Sequence, residues 1–249
     1  MMARSLVEAG QEKETETLLA RRDASGHGPA LLLEIQRILD AQNRYDEAAA
    51  VADRIGSAYP AAAERLEAEV AAAEALRKAG KDEESHARRG KFHQVLGPGS
   101  AWRKSSARGS GESTRADAVS EEGLRSAAFY FHARSRQSPP GDRRAVLALY
   151  DACLSLFPSS PGAEEIAYQR AWLLFEDGRK KDAKTAFEGV ALLPGGAREE
   201  VSWYMAVQCA KDISSIPDAA SQSEVVRLCR EYERFFPAGE RLYSILMDR

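Results

Sequence analysis

Apolar residues recur at three- and four-residue intervals along most of the chain, the repeat of one buried face of an α-helix. The pattern predicts helix pairs at 30–42 with 45–58, 63–79 with 82–96, 117–136 with 142–157, 162–177 with 180–192, and 197–212 with 221–235. Residues 3–22 read as the tail of one first helix with its partner, and 239–248 as the opening of a further first helix. Pro29, Pro60, Pro98, Pro139-Pro140, Pro158, Pro161, Pro194, Pro217 and Pro237 all fall between these segments, where a missing N–H leaves no helix bond broken. Gly10, Asn43-Arg44, Gly80, Gly141 and Gly178 mark the reversals, at positions suited to the left-handed residue that ends a helix before an antiparallel neighbour.

The hairpins repeat. Gly10 to Arg44 is 34 residues, Arg44 to Gly80 is 36 and Gly141 to Gly178 is 37, the period of a helical-hairpin array. Three second helices finish on an aromatic and a proline: Tyr59-Pro60, Phe157-Pro158 and Phe236-Pro237. Two first helices share wording, Glu164-Glu165-Ile166-Ala167-Tyr168 with Ala171 and Glu199-Glu200-Val201-Ser202-Trp203 with Ala206, which reads as internal duplication. Residues 97–116 are too rich in glycine and serine to favour a helix and are expected to be a flexible linker. The expected organisation is a block at 1–96, the linker at 97–116 and a block at 117–249, with a shorter interruption at 214–221.

Around 158–194 the text resembles a tetratricopeptide repeat, in the bacterial envelope variety of BamD-like and CpoB-like proteins. Ala171 and Ala183 stand where that family places small residues in the first and second helices, Phe187 where it places an aromatic one turn later, and Phe157-Pro158-Ser159-Ser160-Pro161 matches its lead-in. Small residues there let neighbouring helices approach to about 8–10 Å. Ala48, Ala52, Ile55 and Pro60 repeat the match at 30–60. At 63–98 the pattern fades, with Ser85 and Arg89 in place of small and apolar residues, and at 142–158 Val146, Tyr150 and Cys153 stand in. The resemblance implies an all-α solenoid of antiparallel hairpins, coiled as a right-handed superhelix whose first helices line a concave groove for extended peptides or partner helices.

On that geometry the groove-facing residues include Arg37, Asp40, Phe131, Glu165, Tyr168, Trp172, Phe175, Glu200 and Trp203. Aromatic rings beside carboxylates suit a partner segment with apolar and basic side chains. Tyr168 and Trp203, equivalent in the duplicated helices, are the leading pair. Aromatic stripes at helical spacing are core more often than site, so packing between hairpins is the competing role for Trp172, Phe175 and Trp203.

The chain has 35 basic and 38 acidic residues, a formal net charge of −3, and so no global attraction to nucleic acid or anionic lipid. Locally, residues 86–115 carry Arg88, Arg89, Lys91, Arg103, Lys104, Arg108 and Arg115 against Glu112, seven minus one or +6. That segment, with Trp102 inside it, is an alternative contact for nucleic acid or an acidic surface, though a soluble tether explains it more simply. Cys153, Cys209 and Cys229 lack paired spacing and read as buried thiols. His27, His86, His93 and His132 are scattered without companion ligands, and no nucleophile elbow, phosphate loop or dinucleotide fingerprint occurs.

The expectation is therefore a non-enzymatic protein-binding scaffold with no cofactor, no metal and no small-molecule substrate. Assembly by stacking of open ends onto further copies is the alternative. No run of residues approaches a membrane span, and the start carries neither an export signal nor a lipid-bearing cysteine. As written the chain reads as cytoplasmic; the resemblance implies the periplasm.

Overall fold

Antiparallel helices need a sharp reversal, and the chain makes it three times with one geometry. In the computed structural model, which describes residues 27–105, 109–136, 141–193, 196–214 and 219–247, every regular element is a helix. Helix α1 (Gly28–Ala41) turns into α2 (Tyr45–Ala58), α3 (Arg65–Lys78) turns into α4 (Asp82–Arg89), and, further on, Ala163–Glu176 turns into Lys180–Ala191. The residues at these turns are Asn43, Gly80 and Gly178, with φ of 61°, 75° and 75°. Only glycine, or asparagine at small cost, adopts that backbone readily. Each turn is closed by the same bond from the next residue: Arg44 N–H donates to Leu39 C=O at 2.9 Å, Lys81 to Leu76 at 2.9 Å and Arg179 to Leu174 at 3.0 Å.

The chain divides into two compact units, residues 1–130 and 131–249. In the first, α1 contributes Leu32, Leu33, Ile35, Ile38 and Leu39 to a core completed by Ala48, Ala52 and Ile55 of α2 and by Ala68, Ala72 and Ala75 of α3. The alanines let the three helices pack closely, so large apolar groups come mainly from one side. Two polar side chains inside this layer bond to helix backbone: Gln36 donates to Ala68 C=O at 3.0 Å and Ser85 to Ala73 C=O at 2.6 Å. Ser85, where the family pattern has a small apolar residue, is thus accommodated without an unmet hydroxyl.

The helix expected at 82–96 breaks at Gly90, and a short α5 (Phe92–Leu96) follows. The break allows Phe92 and Leu96 to join Leu66, Ala73, Trp102 and Ala116 in a second apolar cluster. That cluster corrects the expectation of a flexible linker. Trp102 lies in a one-turn helix, α6 (Ala101–Lys104), and is 0% exposed. Ser100 caps α6 by accepting from Arg103 N–H at 3.1 Å, while the Arg103 side chain donates to Leu96 C=O at 3.1 Å and pairs with Asp117 at 2.5 Å. Glycine and serine lower local helix propensity, but burial of one indole outweighs that deficit.

The next helix, α7 (Ser110–Ser135), starts at Ser110 rather than 117 and runs through the division between the units, which falls after Tyr130 instead of within 97–116. Gly123 sits where α7 passes the end of α4; a Cβ there would meet Arg89 C=O at 2.5 Å, so only glycine permits the approach.

The second unit continues with α8 (Gly141–Leu156), the hairpin α9 (Ala163–Glu176) and α10 (Lys180–Ala191), then α11 (Glu199–Ile213), α12 (Ala219–Phe235) and α13 (Leu242–Met247). Successive helices pack on one another in chain order. Ala171, Ala183 and Ala206 are fully buried at the close approaches, and Tyr150, Phe187, Leu228, Tyr232 and Ile245 fill the space between. Cys153, Cys209 and Cys229 are buried, as the sequence implies; burial pushes the Cys209 thiol up to about 11. The helices expected within 3–22, the Pro139-Pro140 turn and residues 215–218 of the 214–221 interruption lie outside the described residues. Among the described residues no helix is long and apolar enough to cross a membrane.

Candidate functional site

In the first unit the first helices α1 and α3 are buried except along one stripe. Ala30, Glu34, Arg37 and Ala41 of α1 are exposed, as are Glu67, Val70, Arg77 and Lys78 of α3. Arg37 and Asp40, both expected to face a partner, lie on this side and are tied across it. Arg37 donates to Glu67 at 2.7 Å and to Glu34 at 3.5 Å, and Lys78 pairs with Asp40 at 2.7 Å. The Glu67 hydrogen bond raises the Arg37 pKa. These are exposed pairs of small individual worth, so a partner carboxylate or amine can replace either member at low cost.

In the second unit the leading aromatic pair faces inward. Tyr168 is 6% and Trp203 4% exposed. Tyr168 meets Phe187 at 5.9 Å and Trp172 at 6.2 Å between ring centroids, with the Arg198 guanidinium 4.5 Å above its ring. Trp203 stacks on Phe235 at 5.7 Å and 19°. Trp172 and Phe175 are half-buried, edge to face at 5.5 Å, and Lys180 Nζ lies 3.1 Å from the Phe175 centroid. Phe131 is half-buried. Glu165 pairs with Arg198 at 2.5 Å, and Glu200 accepts from the Tyr232 hydroxyl at 2.6 Å. Most of these contacts join the two helices of one hairpin, α9 to α10 and α11 to α12, while Arg198 reaches back to Glu165 and Tyr168 of the preceding hairpin.

The partly open stripe of α11 is shifted by one residue from the expected one. Val201, Tyr204, Gln208 and Lys211 are half-exposed while Ser202, Trp203, Met205, Ala206, Val207, Cys209 and Ala210 are buried. One residue is about 100° of helix, enough to move a ring from surface to core. Periodicity alone does not select between Trp203 and Tyr204, because both rings suit either face. Arg241 lies 5.5 Å from the Tyr204 ring.

A second group went unrecognised in the sequence. His132, at the end of α7, approaches the Tyr150 hydroxyl at 2.8 Å through Nδ1 and Glu176 at 3.4 Å through Nε2. Glu176 also pairs with Arg136 at 2.9 Å, and Arg143 donates to its backbone carbonyl at 2.7 Å. A neutral imidazole satisfies this arrangement by accepting from Tyr150 and donating to Glu176, a tautomer assigned from the hydrogen bonds. Burial lowers the His132 pKa and raises that of Tyr150. Tyr150 is fully buried, and the cluster clasps α7, α8 and α9 together. Its members are 18 and 44 residues apart, beyond any local motif.

The basic segment is partly neutralised by carboxylates from outside it, at three of its seven cations. Arg88 pairs with Glu69 at 2.8 Å and Asp53 at 2.9 Å, Arg89 with Glu74 at 3.4 Å, and Arg103 with Asp117. Lys91 and Lys104 are exposed; Arg108 lies outside the described residues. A charge sum over a window omits partners that folding brings from elsewhere, which is why +6 overstated the field. Asp53, Arg65, Glu69, Glu84, Arg88 and Lys91 also line an open cleft of about 480 Å³, where opposite charges alternate. Among the described residues no group of three or more metal-ligating side chains converges.

Taken together, the hairpins, their left-handed turns and their alanine contacts define an all-α, tetratricopeptide-like helical-repeat protein. No family model matches the chain and no curated protein matches it. Among solved structures it is similar to a Podospora anserina protein of the kinesin light chain type with nearly identical TPR-like repeats, at 14% identity and a TM-score of 0.37, over 86% of this chain and 99% of that one.

Proposed function

We propose that the chain is a non-catalytic scaffold that binds a partner protein along the exposed stripes of its first helices. The observation carrying this reading is the one-sided exposure of those helices. The stripes stand at three- and four-residue spacing, exposed on α1 and α3 and half-exposed on α11, in helices whose remaining faces are largely buried. A peptide or helix laid on the stripe of the first unit would meet exchangeable ion pairs at Arg37 and Asp40, and one laid on the stripe of the second unit would meet the half-open Tyr204 and Gln208.

The test places a photo-crosslinking residue at Tyr204 and, separately, at the buried Trp203 neighbour Met205. Partner capture at position 204, lost in a Gln208→Ala, Lys211→Ala variant with unchanged circular dichroism, supports the reading. Capture that ignores those substitutions puts binding on another face. A mass by light scattering that rises with concentration, with no heterologous capture, replaces the scaffold with self-assembly.

A further inference from the structure

The second helices of the second unit carry a surface that the first-helix reading does not use. α10 and α12 run parallel and are bridged by long side chains: Lys184 pairs with Glu224 at 2.6 Å, and Glu188 with Arg227 at 2.5 Å. One turn beyond Glu188 this seam changes character. Leu192, at the end of α10, is 66% exposed, and Phe235, at the end of α12, is 45% exposed over the buried Trp203. Helix geometry sets Leu192 at the level of position 231 and Phe235 one turn further, so the two apolar groups stand at the same end of the paired helices.

Two further observations point to an occupant. Gly189 lies inside the last turn of α10 with an ordinary helical φ, and a Cβ there would have nothing within 4 Å. The residue uses none of glycine's backbone freedom and relieves no contact among the described residues, yet it weakens the helix relative to alanine. With exposed Thr185 and Leu192 it forms a face, at i, i+4 and i+7, low enough for another backbone to come close. On the α12 side Arg227, Arg230 and Arg234 form an exposed stripe at i, i+3 and i+7. Arg230 and Arg234 have no carboxylate partner among the described residues, and Arg234 rests 5.6 Å from the Phe235 ring. Glu231 is half-buried on the side toward α10, and Glu233 lies off the stripe.

We propose that the α10–α12 seam docks an acidic amphipathic helix of a partner protein, with its backbone over Gly189, its apolar side chains on Leu192 and Phe235, and its carboxylates on Arg230 and Arg234. The arginines set the sign of the partner, and the glycine sets its distance. A helix with basic flanks would leave two guanidiniums facing like charge.

The probe is a synthetic helical peptide of about 18 residues with leucine at every third or fourth position and glutamate elsewhere, beside the same peptide with lysine for glutamate. Both are titrated into the full chain and followed by calorimetry and amide chemical shifts. The acidic peptide is expected to bind, to shift resonances of Gly189, Leu192 and Phe235, and to weaken as salt rises. Gly189→Leu, which has room to fold, is expected to reduce affinity about tenfold or more by blocking the approach, and Arg230→Glu with Arg234→Glu to abolish it.

Equal binding of the two peptides, or no response to Gly189→Leu in a chain that melts normally, overturns the proposal. Shifts confined to Tyr204 and Gln208 also overturn it, and would favour the first-helix stripe instead. Self-association that disappears in Gly189→Leu assigns the seam to a second copy of the chain and removes the heterologous partner. Loss of first-helix crosslinking with retained peptide binding at Gly189 separates failure of the scaffold reading from failure of this one.

Discussion

The two units build the same hairpin with different interiors. In the first, α1–α3 meet through leucine, isoleucine and closely spaced alanine, with ion pairs such as Arg37–Glu67 and Asp40–Lys78 bridging first helices on the outside. In the second, rings occupy the joints: Tyr150, Tyr168, Trp172, Phe187, Trp203 and Tyr232, with the Arg198 guanidinium over Tyr168. Alanine joints bring backbones together and hold little side-chain volume at each position. Aromatic joints hold more volume per residue, so more of the unit's stability rests on each ring.

The largest expected effect follows from that difference. Phe187→Ala empties a fully buried ring site against Tyr168 and Trp172 and is expected to destabilise the second unit by about 3–5 kcal/mol. Ile55→Val, at an equally buried site in the first unit, is expected to cost about 1 kcal/mol. Denaturant unfolding followed by tryptophan fluorescence checks both, and equal losses for the two substitutions would break the contrast.

Charge gives the first unit its own vulnerable point. Glu69 is nearly buried, paired with Arg88 at 2.8 Å and lying 3.8 Å from Arg65. Glu69→Ala leaves two arginines without their shared carboxylate and is expected to cost about 3 kcal/mol, whereas removal of the exposed Arg37–Glu67 pair is expected to cost less than about 1 kcal/mol. Thermal melts at low and high salt distinguish the two, since only the exposed pair is strongly screened.

Glycine contributes effects of opposite sign. Gly178→Ala forces a side chain onto a φ of 75° and is expected to lose about 1–2 kcal/mol. Gly189→Ala adds a methyl into open space on a helix and is expected to gain about 0.5–1 kcal/mol. A stabilised Gly189→Ala that also binds the acidic helix less well would show that the glycine is retained for approach.

Acid sharpens the comparison least, because it acts on both units. Burial lowers the pKa values of His132 in the second unit and of His86 and His93 in the first below the ordinary 6.5. The stability of the neutral forms is present above 6.5 and is lost as pH falls below it through the folded values. Histidine NMR titrations are expected to place all three midpoints below 6.5. The α10–α12 seam persists to lower pH, because Arg227 and Lys184 hold Glu224 down to about 2.

The sequence by itself determined the helices and their reversals. Three- and four-residue apolar spacing specifies a buried helix face, and Asn43, Gly80 and Gly178 announce the left-handed turns whatever surrounds them. Ala171, Ala183 and Phe187 likewise carry their packing roles in their size. Tertiary structure alone decided which rings lie inside, because Trp203 and Tyr204 differ by about 100° and both suit either face. It also decided that Trp102 is buried despite a glycine- and serine-rich context, that Arg88, Arg89 and Arg103 are spent on distant carboxylates, and that His132 meets Tyr150 and Glu176. Helix propensity and turn geometry act over a few residues and can be read locally; burial and ion pairing depend on partners that only the folded chain brings together.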